Sequence, residues 1–258
     1  MHENDSYIKP HKITDEYYYI GTRSGPANLL VTGDGLVLID TSWPESLDIL
    51  LENIRALGFD PMDVRHIVHS HGHLDHFGCT AELVRMTGAK TYLGEGDLPY
   101  LDPEDARCPD RYKPYVFVPD VIIRDGDVID FGGIEIRFVS TPGHTYGVVS
   151  MFMTLHANGE AHMAGMFGGA GLNTLSDEFF AKGTFPKTMR NLYVESIDRI
   201  IDEPVEIHLG NHLANNNGYA KMKLIGGEVN PYLAENTWVS FLTEKRAAVA
   251  AMIAADEA

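Results

Sequence analysis

The chain has 258 residues, 44% of them hydrophobic, and a formal net charge of −17 from 37 acidic against 20 basic side chains. That length and composition suit a globular chain able to bury its own apolar core, and the acidic balance, without any Lys/Arg run, opposes nucleic acid as a partner. Two cysteines, Cys79 and Cys108, are too few for a disulfide framework, and no apolar stretch reaches membrane-spanning length. Met1–Lys12 is polar and lacks the apolar core of a signal peptide, so a chain that starts naturally at Met1 is expected in the cytoplasm.

Taken in order, Asp15–Thr22 reads as a strand from its Tyr and Ile content. Asn28–Thr32 and Leu36–Asp40 flank Gly33-Asp34-Gly35 and read as a hairpin. Pro44 opens a helical pattern with Leu47, Leu50, Leu51, Ile54 and Leu57 at helix spacing, and Gly58 stops it. Val64–His69 is a short strand, Phe77–Thr87 a helix closed by Gly88, and Lys90–Leu93 the next strand. Residues 94–119 read as a long, partly helical loop, a length often tied to function. Ile134–Ser140 alternates as a strand, and 148–155 with 160–164 form a hairpin around Ala157-Asn158-Gly159. After the Gly-rich run 165–171 come a helix over 186–201, a strand Val205–Leu209 and a final helix over 235–255. No linker or repeat interrupts the series. The reading is one domain over 1–258, with mixed sheet layers covered by helices.

The informative segment is His71-Gly72-His73-Leu74-Asp75-His76, directly after a strand. Imidazole nitrogens and carboxylate oxygens are zinc ligands. In an extended segment alternate side chains share a side, so His71 and His73 can hold one ion. Asp75 and His76 then begin the next turn and can serve a second ion or the water of the first. A solvated polar loop is the bland alternative, and three histidines with an aspartate in six residues weigh against it.

His-x-His-x-Asp-His after a strand resembles the hallmark of the metallo-beta-lactamase superfamily. Thr141-Pro142-Gly143-His144-Thr145 and Gly210-Asn211-His212 are similar to that family's later ligand loops, and the hairpin ending in Ile39-Asp40 to its opening. The phrases Ile54–Phe59 and Asp63–Arg65 resemble the third subclass of metallo-beta-lactamases. The resemblance implies an α/β fold, a four-layer αββα sandwich. It also implies one or two zinc ions, with His71, His73 and His144 on the first and Asp75, His76 and His212 on the second. It further implies a hydrolase acting on a small-molecule amide or ester, beta-lactam-like or lactone-like, with metal-activated water as nucleophile. Asp75 would be the catalytic residue that orients this water and takes up its proton.

The chain departs from the family at 162–167, where His162-Met163-Ala164-Gly165-Met166-Phe167 carries no metal-bridging aspartate. Met166 stands in the corresponding place, so a weaker second metal and altered beta-lactam recognition are expected. Trp43, Tyr146 and Met166 are the candidates for substrate contact; packing against the following helix is the alternative for Trp43 and core packing for Met166, while Tyr146 follows the His144 loop toward the cleft. Asp40 is either a partner of a ligand histidine or a turn cap. His66, His69 and His162 read as structural, and Cys79 as a small buried residue. The segment 108–119, with Arg111, Tyr112, Lys113 and Tyr115, is either a lid with a basic pair or a solvated loop. The competing functions are an iron-dependent oxidoreductase or dioxygenase of the same superfamily, a lactonase without beta-lactam activity, a nuclease, which the charge opposes, and a non-catalytic metal module.

Overall fold

The computed structural model describes residues 7–256, so the first six residues of the polar N-terminal segment lie outside the described residues. Strands β1 (His11–Lys12), β2 (Tyr17–Tyr19), β3 (Asn28–Thr32), β4 (Gly35–Ile39), β5 (Val64–Val68), β6 (Lys90–Gly94) and β7 (Val121–Ile123) form one sheet in chain order. Its first four strands pair antiparallel, and β4 to β7 run parallel. Strands β8 (Val128–Asp130), β9 (Glu135–Ser140), β10 (Val149–Ala157), β11 (Glu160–Met166) and β12 (Ile207–Leu209) form the second sheet, in the order β12-β11-β10-β9-β8. The β3–β4 hairpin turns on two residues, Gly33 and Asp34, with Thr32 opposite Gly35.

The period of two in each strand explains the layering. Leu30, Val37 and Ile39 face the second sheet, where they share a core with Phe138, Met151, Met153 and Ile207. Their neighbours Leu29, Leu36 and Leu38 turn outward and pack with Leu50, Leu51, Ile54 and Leu83 from the helices Leu47–Ala56 and Thr80–Thr87. On the far side, Val139 and Phe152 pack with Tyr193, Ile197, Trp238 and Leu242 from the helices Met189–Ile200 and Trp238–Asp256. The result is the helix–sheet–sheet–helix sandwich expected from the resemblance. Among the described residues no helix is long and apolar enough to cross a membrane.

Strand direction decides where a site can form. The loops after β4, β5 and β6 leave the same edge of the first sheet, because those strands are parallel. In the second sheet β9 and β11 both run opposite to β10, and β12 runs with β11. The loops after β9, β11 and β12 therefore also leave one common edge. Every candidate ligand lies on a loop following β5, β9 or β12.

Candidate metal centre and active site

The two edges meet and bring six side chains together as two adjoining groups, His71, His73 and His144, then Asp75, His76 and His212. In the first group His71 Nε2 lies 3.1 Å and His144 Nε2 3.0 Å from His73 Nδ1. In the second, His76 Nε2 lies 3.2 Å from His212 Nε2, and Asp75 Oδ2 lies 3.4 Å and 3.5 Å from these same two nitrogens. The rings of His71 and His76 are 3.9 Å apart between centroids, so the groups share a wall.

Hydrogen bonding on the outer nitrogens tests whether a cation fits. His71 Nδ1 donates to the carbonyl of Gly168 at 3.0 Å, and His144 Nδ1 to that of Gly171 at 2.8 Å. A carbonyl only accepts, so both Nδ1 atoms carry the proton and both Nε2 atoms present bare lone pairs. These lone pairs converge on His73 Nδ1, which has at most one proton to offer. A cation among the three nitrogens satisfies all of them. Two nitrogens on a tetrahedral zinc at ordinary bond lengths stand about 3.4 Å apart, close to the observed spacing. In the second group His76 Nδ1 donates to Asp40 Oδ2 at 2.8 Å, which leaves Nε2 as the nitrogen facing Asp75 and His212. The donor set thus fits metal ions at both places.

Electrostatics agree. Burial, reinforced by neighbouring imidazoles, lowers His73 and His212 to about 4 and holds His71 and His144 well below the usual histidine range. All four are therefore in the neutral form that ligates. His76 behaves oppositely. Burial disfavours its charge, but the Asp75 and Asp40 carboxylates outweigh this and raise it to about 10. Burial also disfavours ionised Asp75, and the charge and hydrogen bond of His76 outweigh that, holding its carboxyl below the usual range. Without a cation the second group keeps a proton between its carboxylates, and a bound cation takes the place of that proton.

The supporting residues were less legible in the sequence. Asp40 accepts from the backbone N–H and hydroxyl of Ser70, both at 2.8 Å, as well as from His76, so it acts as the partner of a ligand histidine. The Gly-rich run after β11 places carbonyls against the ligands, and Asn211 Nδ2 also donates to Gly168 at 2.6 Å. At Gly143, φ is 146° and an added Cβ would lie 2.5 Å from Tyr193, so only glycine lets the chain turn His144 inward here. Sequence reasoning missed Asp97 altogether. It is fully buried beyond β6 and accepts from Gly72 N–H at 2.6 Å, Gly147 N–H at 2.7 Å and the Thr145 hydroxyl at 2.7 Å. Burial raises its carboxyl to about 6 against the pull of these donors.

A cleft of about 460 Å³ opens beside the ligands and is lined by Trp43, His73, Asp75, Tyr100, Arg111 and Phe179 among others. A smaller cavity of about 180 Å³ is lined by all six candidate ligands and reaches Asn215 and Lys245. Trp43 is thus at the cleft. Tyr146 is not among the lining side chains and packs edge-on against Phe185, with ring centroids 5.3 Å apart. Met166 needs a correction, because its side chain is fully buried in the core between the sheets, opposite Met151 and Leu209, where no substrate reaches it. An inward position on β11 explains this.

His69 is bonded to the Tyr92 carbonyl and the Thr80 hydroxyl, both at 2.8 Å, and ties strand to helix without touching a ligand. His66 bonds the Tyr92 hydroxyl at 2.9 Å. His162 faces Glu206, 3.3 Å away. The Cys79 thiol points to the Trp43 carbonyl at 2.9 Å, away from the ligands, and burial pushes it well above the usual thiol range.

A four-layer sandwich with paired histidine-rich ligand groups on its loop edge has the architecture of a metal-dependent hydrolase. Residues 20–154 match the family model of the metallo-beta-lactamase superfamily, and the chain belongs to that superfamily. Among solved structures, it is similar to BJP-1, a subclass B3 metallo-beta-lactamase of Bradyrhizobium japonicum, with a TM-score of 0.85 and 26% identity over 96% of this chain and 95% of that one. It shares the fold of native FEZ-1 metallo-beta-lactamase from Legionella gormanii, with a TM-score of 0.86 and 24% identity over 98% of each chain. Among curated relatives, it is 40% identical over 132 residues to the N-acyl homoserine lactonase AttM of Rhizobium radiobacter, covering 46% of this chain and 47% of that protein. It is 36% identical over 121 residues to a hydroxyacylglutathione hydrolase of Anaeromyxobacter dehalogenans, covering 47% of this chain and 39% of that protein. The chain spans about half the length of most of the curated relatives it matches.

Proposed function

We propose that this chain is a zinc-dependent hydrolase that cleaves an amide or ester bond, beta-lactam-like or lactone-like, in a small molecule, and that residues 1–258 act as one domain. The observation that carries this reading is the convergence of six side chains into two adjoining three-residue groups beside an open cleft, with the bare lone pairs of His71 and His144 turned inward. His71, His73 and His144 would hold one ion, and Asp75, His76 and His212 the other. Zinc held there would supply a nucleophile from water near neutral pH and a Lewis acid for the carbonyl under attack.

The chain's own residues do the rest. Asp75 lines both the cleft and the smaller cavity, and it is kept ionised by its contact with His76. Its carboxylate can orient a water by accepting a hydrogen bond and take up the proton released on attack. Asp40 fixes the His76 ring, and the carbonyls of Gly168 and Gly171 fix the rings of His71 and His144, so the ligands are positioned before substrate arrives. Trp43, Tyr100 and Phe179 offer an apolar wall for the acyl part. The lactonase relative supports a cyclic ester, and the solved relatives support a cyclic amide.

The test is hydrolysis of nitrocefin and a set of lactones by protein as purified, after chelation, and after zinc is restored. Turnover that is lost to the chelator and regained with zinc is expected. Asp75→Asn is expected to lower kcat about 10²–10⁴-fold. Iron in place of zinc, or turnover indifferent to chelation, would contradict the proposal.

A further inference from the structure

We infer that Arg111 forms an anion subsite at the cleft, and that the substrate is a carbonyl compound carrying a carboxylate beside an apolar group. The hydrolase reading supplies only the position of the reacting carbonyl, and the subsite stands on the residues of the loop 102–115.

That loop carries three cations. Arg107 is bound in two-pronged fashion by Asp105, at 2.9 Å and 2.8 Å, and Lys113 is paired with Asp110 at 3.0 Å. Both charges are therefore met locally. Arg111 has no carboxylate within ion-pair distance among the described residues. Its guanidinium rests over the Tyr112 ring, 5.4 Å from the centroid, and it lines the same cleft as His73 and Asp75. A planar guanidinium held against the Tyr112 side chain can offer its remaining N–H groups to a carboxylate in a forked contact. In a chain of net charge −17 an anion has little reason to approach elsewhere. Trp43, Tyr100 and Phe179, which line the same cleft, accept apolar surface, and a volume of about 460 Å³ suits a small organic acid. The second cation near the ligands, Lys245, lines the smaller cavity and not the cleft, and sits over the Phe241 ring, 5.3 Å from its centroid.

Tryptophan fluorescence reads the subsite without catalysis. Trp43 lines the cleft, whereas Trp238 is fully buried in the core. Phenylacetate and its neutral counterpart phenylacetamide are titrated against the full chain, before and after chelation. The expected result is about tenfold tighter binding of phenylacetate, a preference that survives chelation, vanishes in Arg111→Ala and returns in part in Arg111→Lys. A preference unchanged in Arg111→Ala, lost instead in Lys245→Ala, lost on chelation, or absent in the wild-type chain would overturn the assignment. If neither nitrocefin nor any lactone is turned over but the Arg111-dependent preference holds, the hydrolase reading fails and the subsite stands.

Discussion

Asp40 shows how much one residue can organise. It follows β4 with φ of 62°, a left-handed conformation that aspartate tolerates better than most residues. From there its carboxylate reaches two groups of Ser70 and the outer nitrogen of His76. Asp40→Asn keeps the shape but replaces an acceptor oxygen with an N–H₂ group facing donors. Metal affinity at the second group is expected to fall about 10–100-fold, measured by competition with a chromogenic chelator, while His212→Ala should remove that group's binding more completely. At Gly171 the constraint is steric, because an added Cβ would lie 2.9 Å from His144 Cε1. Gly171→Ala is expected to displace that ring and weaken the first group, and unchanged chelator competition would show that the loop gives way instead. These residues were poorly legible in the sequence. The ligands themselves announce their chemistry by residue type and spacing, whereas a carbonyl donated by Gly168 leaves no side-chain signal.

At the scale of elements, the site is an arrangement of loops and Asp97 ties two of them together. Its carboxylate joins Gly72, inside the first ligand motif, to Thr145 and Gly147, beside His144. Asp97→Ala would strand two backbone N–H groups and a hydroxyl in a buried place. The expected loss is about 2–5 kcal/mol, read from urea unfolding, together with weaker metal binding at the first group. Loss of stability with intact metal affinity would mean the ligand loops are held by other contacts. Sequence patterning located the strands and long helices well, because alternation and helix spacing record which face is buried. It extended the second helix, read over Phe77–Thr87, across Gly78 and Cys79, where the chain breaks between Leu74–Phe77 and Thr80–Thr87. The stretch 94–119 is the partly helical loop expected, with short helical turns at Glu95–Asp97, Leu98–Leu101 and Lys113–Tyr115 whose bounds carry no periodicity in the sequence. Met166 was misplaced for a related reason. The register of β11 against its neighbours, which sends that side chain inward, is set by pairing that one strand's sequence does not show.

At the scale of the molecule, the layered core carries neutral histidines that resist protonation. Burial lowers His208, on β12, to about 3. An unfolded histidine titrates near 6.5, so below that pH the unfolded chain binds the proton that the folded chain refuses. This contribution to stability is present above about pH 6.5 and is lost as pH falls toward the folded value. Between pH 7 and 5 His208 should account for about 2 kcal/mol. Urea unfolding of metal-depleted protein at the two pH values, with His208→Gln for comparison, checks this, and equal losses in both proteins would refute it. The family and the order of layers were legible from one motif and its spacing to later histidines. The meeting of the two sheet edges, which turns six scattered ligands into one centre, follows from strand direction and appears only in three dimensions.

Elemental analysis of wild-type, His71→Ala and His212→Ala protein, each equilibrated with zinc and freed of excess, tests the central claim most directly. About two zinc ions per chain are expected for the wild type and about one for His212→Ala, with His71→Ala losing the tighter ion. A full complement of zinc in both variants, or none in the wild type, would contradict the assignment of these six residues as the metal centre.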